Sequence, residues 1–110
     1  MAKRFVGTIH PGEHILEDFL KPMGLSVYQF ANYMGVSQAH ASELVKGKRH
    51  VTPIVALKLA KVFGTSAELW LGLQMEYEMD AIRSKKTALT KSTKAIPASL
   101  KKYAEERAGK

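Results

Sequence analysis

The chain of 110 residues predicts an all-α protein: a compact five-helix bundle over residues 10–80, with an N-terminal arm at 1–9 and a flexible basic C-terminal tail at 81–110. Three observations support this. Apolar residues recur at helical spacing in five separate stretches. Those stretches are punctuated by helix-starting Ser, Thr and Pro and by helix-ending Gly. Lysine and arginine accumulate after residue 80, where the apolar periodicity fades.

The arm, with Phe5, Val6 and Ile9 apolar, reads equally as an extended lead or as disorder. His10-Pro11-Gly12-Glu13-His14 matches the H-x-x-E-H metalloprotease pattern in letters. Pro11 nevertheless fits the first position of a helix, with His10 near its cap and Glu13 in the first turn, where the helix dipole favours an acid. A zinc site would need a third ligand, and the other histidines, His40 and His50, fall in a different part of the chain. No metal site is expected. Ile15, Leu16, Phe19, Leu20 and Met23 form the apolar stripe of this first helix, which Pro22 and Gly24 close. Glu17, Asp18 and Lys21 are expected to face water. Adjacent carboxylates on a helix point about 100° apart, so Glu17 and Asp18 make a poor acid–base dyad.

In the second helix Val27, Phe30, Ala31 and Met34 fall at i, i+3, i+4 and i+7. Gly35 suits the position just past its end, where positive φ is needed. Ser37 offers an N-cap hydroxyl to a third helix, from Gln38 to Lys46, whose inward residues are Ala41, Leu44 and Val45; Gly47 ends it. Two short helices joined by Gly-Val-Ser, with small Ala31 permitting close approach, describe a helix-turn-helix.

After the basic loop Lys48-Arg49-His50-Val51, Thr52 and Pro53 open a fourth helix. Leu57, Ala60 and Phe63 are expected on its buried face, with Ala56 and Leu59 alongside, and Gly64 terminates it. The fifth starts at Thr65-Ser66, carries Glu68 in its first turn, and presents Leu69, Trp70, Leu73 and Tyr77 to the core. Trp70, among leucines, reads as core rather than as a ligand platform. In the tail only Ser99–Ala108 keeps a helix face, with Leu100, Tyr103, Ala104 and Arg107. A segment of about ten residues forms only a marginal helix alone.

Composition excludes several classes. No cysteine is present, which removes disulfides, thiolate metal sites and a thiol nucleophile, and agrees with a cytoplasmic location. No apolar run approaches the roughly 20 residues of a membrane span. No triad, Gly-rich phosphate loop or credible ligand set appears, so neither enzyme activity nor a cofactor is expected. The net charge of +7 equals the charge of residues 81–110 taken alone, so it says little about the bundle. The local cluster Lys46, Lys48 and Arg49 says more.

At Ala31, Gly35, Val36, Ser37, Ser42, Gly47 and Lys48 the chain resembles the Xre/Cro-like helix-turn-helix superfamily, which implies a lambda-repressor-like fold. HPGE at 10–13, LEDFLKPMGLS at 16–26, ELVKGKR at 43–49 and FGTSAELWLGLQ at 63–74 resemble one subfamily, the HigA-type antitoxins, also called addiction-module antidote or VapI-like proteins. Two places depart from that family: Ala41, where a larger aliphatic residue is usual, and Ala39-His40, where arginine is frequent. The resemblance implies a homodimer on a palindromic operator in double-stranded DNA, autorepression, and neutralisation of a HigB-like, mRNA-cleaving toxin. The alternative is a stand-alone Xre-type transcriptional regulator without a toxin.

A helix-turn-helix places its second helix in the major groove. Gln38, Ala39 and His40 would reach base edges first, with Ser42 and Glu43 one turn on. Gln38 can pair bidentately with adenine and Ala39 can touch a thymine methyl. His40 can donate to guanine or phosphate. Glu43 could accept from cytosine, but an ion pair with Lys46 or Arg49 competes for it. Lys46, Lys48 and Arg49 would hold phosphates, with Tyr28, Gln29 and Ser37 assisting.

Overall fold

The computed structural model describes residues 9–108; most of the expected arm, including Phe5 and Val6, lies outside them. Among the described residues there are seven helices and no strand. The first, α1, is one continuous rod made of an α-helical turn Pro11–His14, a π-helical segment Ile15–Leu20 and a closing turn Lys21–Met23. It is followed by α2 (Val27–Met34), α3 (Gln38–Val45), α4 (Pro53–Phe63) and α5 (Ala67–Arg83). Beyond these lie α6 (Lys86–Leu89) and α7 (Ala98–Ala108).

Capping sets most of the boundaries. His10 Nδ1 accepts the Gly12 N–H at 2.8 Å, with Pro11 at the start of α1 as expected. Ser26 and Gln29 form a reciprocal capping box on α2. Ser37, Thr52 and Ser66 cap α3, α4 and α5 through their hydroxyls. Gly35 closes α2 in the left-handed region, at φ 70°.

Ile15, Leu20, Phe30, Ala31, Met34, Ala41, Leu44, Leu59 and Trp70 are all buried in one core. Phe19, Phe63 and Trp70 cluster beside it, with ring centroids 4.4–6.1 Å apart. The Trp70 indole N–H donates to Thr65 Oγ1 at 2.6 Å, so the polar atom of the largest core side chain is satisfied.

Several expectations need correction. Met23, assigned to the buried stripe of α1, is 57% exposed. Asp18, assigned to solvent, is only 16% exposed and pairs with buried His14 at 3.0 Å. Both follow from the π segment, in which the Lys21 N–H reaches back five residues to the Leu16 carbonyl. The wider turn rotates each residue by less than the 100° of an α-helix, so residues within and beyond the segment lag an α-helical reading. Glu17 and Lys21, by contrast, are paired at 2.7 Å on the surface.

On α4 Ala56 and Leu59 are buried and Phe63 packs against the core as expected, while Leu57, expected on the same face, is 64% exposed and Val55 is buried in its place. Leu69 is also exposed, beside the fully buried Trp70.

The five-helix count gives way to seven. α5 runs past residue 80, with Arg83 pairing to Glu76 and Asp80 at 3.3 and 3.5 Å, and two further helices follow in the tail, of which α7 falls on the Ser99–Ala108 stretch that keeps a helix face in the sequence. In α7 the Arg107 guanidinium donates to the Tyr103 hydroxyl at 2.8 Å and lies over its ring. Local pairs of this kind support a helix without a core.

Candidate nucleic-acid interface

α2 and α3 are joined at Gly35-Val36-Ser37, and each starts on a serine cap. α3 turns Ala41, Leu44 and Val45 inward, which leaves Gln38 and Ala39 exposed at its first turn and Ser42 and Glu43 half-buried one turn on. The five positions assigned to base readout therefore sit on one short helix. Its inward face is fully used by the core.

His40 differs from its neighbours. Its Nε2 is buried and has no hydrogen-bond partner among the described residues. The pKa of the ring is lowered, first by desolvation, then by the cations of Arg49 and Lys58, with Glu43 acting in the opposite sense.

Among the residues assigned to phosphate, Lys46 and Lys48 are exposed just beyond α3. Arg49 is engaged: its Nε and Nη2 both donate to Glu43 Oε1, at 3.1 and 2.7 Å. Of the two alternatives for Glu43, the ion pair with Arg49 is the one present. It ties the basic loop back onto α3. Tyr28 is 57% exposed on the first turn of α2. Gln29 uses its Oε1 to accept from the Ser26 N–H and hydroxyl, and Ser37 Oγ accepts the His40 N–H at 3.0 Å.

Sequence reasoning missed two contributors. Lys58 on α4 is close enough to act on the His40 charge; the signal was the Lys58–Lys61 pair spaced three residues apart on α4. Gln74, nearly buried on α5, accepts the Val51 N–H at 2.7 Å and donates to Glu78 at 2.9 Å. This anchors the basic loop 48–51 to α5. It also lies by His50, whose Nδ1 is 3.1 Å from Glu78. His10, packed edge-on against Tyr77 at 5.0 Å, has its pKa lowered by burial and then by His50, with Glu78 raising it.

A helix-turn-helix family model matches residues 16–70, which include α2, α3, α4 and the basic loop between them. The chain belongs to this helix-turn-helix family. The family is one of regulators and antitoxins rather than enzymes. Virulence-associated protein I of Dichelobacter nodosus is 37% identical over 88 residues, covering 80% of this chain and 82% of that protein. Antitoxin HigA-1 of Vibrio cholerae is 33% identical over 104 residues, covering 94% and 98%. Among solved structures, the antitoxin HigA of Pseudomonas aeruginosa with the higBA promoter superposes at a TM-score of 0.69 and 29% identity, covering 82% of this chain and 97% of that one. The expected likeness to HigA-type antitoxins is thus borne out. No helix among the described residues is long and apolar enough to cross a membrane.

Proposed function

We propose that the chain is a DNA-binding antitoxin that represses its own operon as a two-fold dimer on a palindromic operator and neutralises a HigB-like, mRNA-cleaving toxin. The observation that carries this reading is the exposed N-terminal face of α3, Gln38 and Ala39, set beside the exposed cations Lys46 and Lys48. Similarity to a HigA antitoxin seen with its promoter supports it, and similarity to HigA-1 over nearly the whole chain supports the antitoxin part.

In this reading residues 10–80 are the DNA-binding unit. Gln38 pairs with adenine, Ala39 touches a thymine methyl, and Ser42 contacts a base edge deeper in the groove. Glu43 acts chiefly by holding Arg49 over the phosphates rather than by reading cytosine. His40, in the first turn, donates a ring N–H to guanine or to phosphate. Lys46, Lys48 and Arg49 neutralise phosphates. Ser37 and Gln29 have acceptor atoms committed to capping, and each keeps a donor for a phosphate oxygen: the Ser37 hydroxyl proton and the Gln29 amide. Tyr28 adds a further hydroxyl at the entry of α2. The excess positive charge of residues 81–110 adds a salt-sensitive, sequence-independent attraction.

Co-expression with the neighbouring small open reading frame tests the antitoxin half. The expected result is that the neighbour alone arrests growth, and that this chain restores growth and co-purifies with it. A neighbour that is harmless alone and does not co-purify would leave the stand-alone regulator.

A further inference from the structure

His40 holds a buried polar atom that the fold does not pair. Its Nε2 is enclosed and meets no hydrogen-bond partner among the described residues. Such an atom lowers stability unless a donor or acceptor reaches it. Lys58 on α4 is in the complementary state: it is half-buried and makes no hydrogen bond or ion pair among the described residues. Its charge acts on the His40 ring, as does that of Arg49. Arg49, however, already directs its Nε and Nη2 to Glu43. Lys58 is therefore the cation whose donors are uncommitted, and its ammonium sits on a flexible four-carbon stem.

The two nitrogens of a neutral imidazole have opposite roles, one carrying a proton and the other a lone pair. Burial first, then the two cations, lower the His40 pKa, so the neutral ring persists to a lower pH than in an ordinary histidine. Beside a cation, a lone pair on Nε2 is attracted and an N–H is repelled. A proton on Nε2 would also be enclosed without an acceptor. Both arguments put the proton on Nδ1 and leave that nitrogen to meet DNA.

We propose that Lys58 donates to His40 Nε2 and so fixes the ring as the Nδ1–H tautomer, which makes His40 a donor, never an acceptor, towards the major groove. This rests on the reading of α3 as the base-reading helix and deepens it. A donor at this position pairs with guanine N7 or O6 and rejects cytosine, whose major-groove edge offers only the N4 amino group, itself a donor. The opposite tautomer would reverse that choice. Lys58 is thus a positioning residue: it touches no base, yet it decides which orientation of a G·C pair His40 reads.

Long-range proton–nitrogen NMR on the full chain, at about pH 8 where an ordinary histidine is already neutral, measures the tautomer directly. The His40 signals are identified by their loss in His40→Asn. Wild type should show Nδ1 protonated and Nε2 bare. Lys58→Met, which keeps an apolar stem and removes the donors, should shift the ring towards Nε2–H, and Lys58→Arg should retain the wild-type form. On duplexes of the DNA preceding its own gene, with G·C and C·G exchanged at each position in turn, wild type should prefer one orientation at the His40 position. Lys58→Met should reduce that preference about fivefold to tenfold, with circular dichroism verifying its fold. An Nε2–H ring in wild type, or an unchanged tautomer in Lys58→Met, would overturn the proposal. So would a Lys58→Met protein that binds both orientations more weakly by the same factor, the mark of a plain phosphate contact. If Gln38→Ala alters sequence preference and Lys58→Met does not, this proposal alone fails. If neither alters it at any position, α3 is not the reading helix and the proposal falls with that reading.

Discussion

Replacing Gly12 by alanine is expected to destabilise the protein by about 3 kcal/mol or more, among the largest effects of any single methyl group in the chain. Gly12 lies in the first turn of α1 with its α-carbon pressed onto the last turn of α3. A Cβ there would fall far inside van der Waals contact with the Leu44 carbonyl oxygen, and about 3.0 Å from the Leu44 and 3.1 Å from the Val45 carbonyl carbons. These obstacles are backbone, so no rotamer change relieves them. Either α1 moves off α3 or the end of α3 distorts. Thermal unfolding should show a melting temperature lower by on the order of 10–20 °C. Gly72→Ala provides the contrast. Gly72 sits inside α5 with open space around its would-be Cβ, so the same substitution should stabilise by roughly 0.5–1 kcal/mol through helix propensity. Equal effects at the two positions would mean that the close approach of α1 to α3 is not present in solution.

Trp70→Ala is expected to cost about 3–5 kcal/mol. The side chain is 1% exposed, contacts the Phe19 and Phe63 rings, and satisfies its N–H on Thr65. Against a typical total stability of about 5–15 kcal/mol, such a loss leaves a marginal fold. Trp70→Phe keeps the ring contacts and loses the hydrogen bond and some volume, so it should cost less than half as much. Urea titrations followed by circular dichroism distinguish the two. A Trp70→Ala protein as stable as wild type would show that the aromatic cluster is not the keystone of the α1–α4–α5 packing.

Much of this architecture was legible because its signals are local. Ser37, Thr52, Ser66 and Pro11 act where their side chains and ring geometry reach no further than one turn, and each opens a helix as expected. The turn at Gly35 and the inward set Ala41, Leu44 and Val45 likewise follow from spacing alone. What was not legible depends on tertiary contact or on a departure from 3.6 residues per turn. The positions of Met23 and Asp18 depart from the apolar stripe because a π segment leaves no mark in a pattern of helical period. The Gln74–Val51 hydrogen bond joins residues 23 apart, and a lone glutamine gives no sign of such a partner. Leu57 lies on the solvent side because α4 is apolar on most of its circumference, so its phase is decided by partners from other helices, Phe30 and Trp70, which its own Phe63 meets, rather than by its own pattern. On α3 the spacing leaves Gln38 and Ala39 on the surface, where the structure has them. The competition between Glu43 and Arg49 needed the structure to resolve it.

The most direct measurement of the proposed mechanism is a set of binding isotherms at several salt concentrations, on the operator and on a scrambled duplex, for wild type, Gln38→Ala and Lys48→Ala. Gln38 is exposed at the first turn of α3, so its loss should cost about 1–3 kcal/mol per half-site on the operator and little on scrambled DNA. Lys48 is exposed beyond the end of α3, so its loss should weaken both duplexes alike and lower the salt slope by about one unit per half-site. If Gln38→Ala weakened both duplexes equally, with sequence preference unchanged, α3 would not be the reading helix, and the assignment of function to this face would be contradicted.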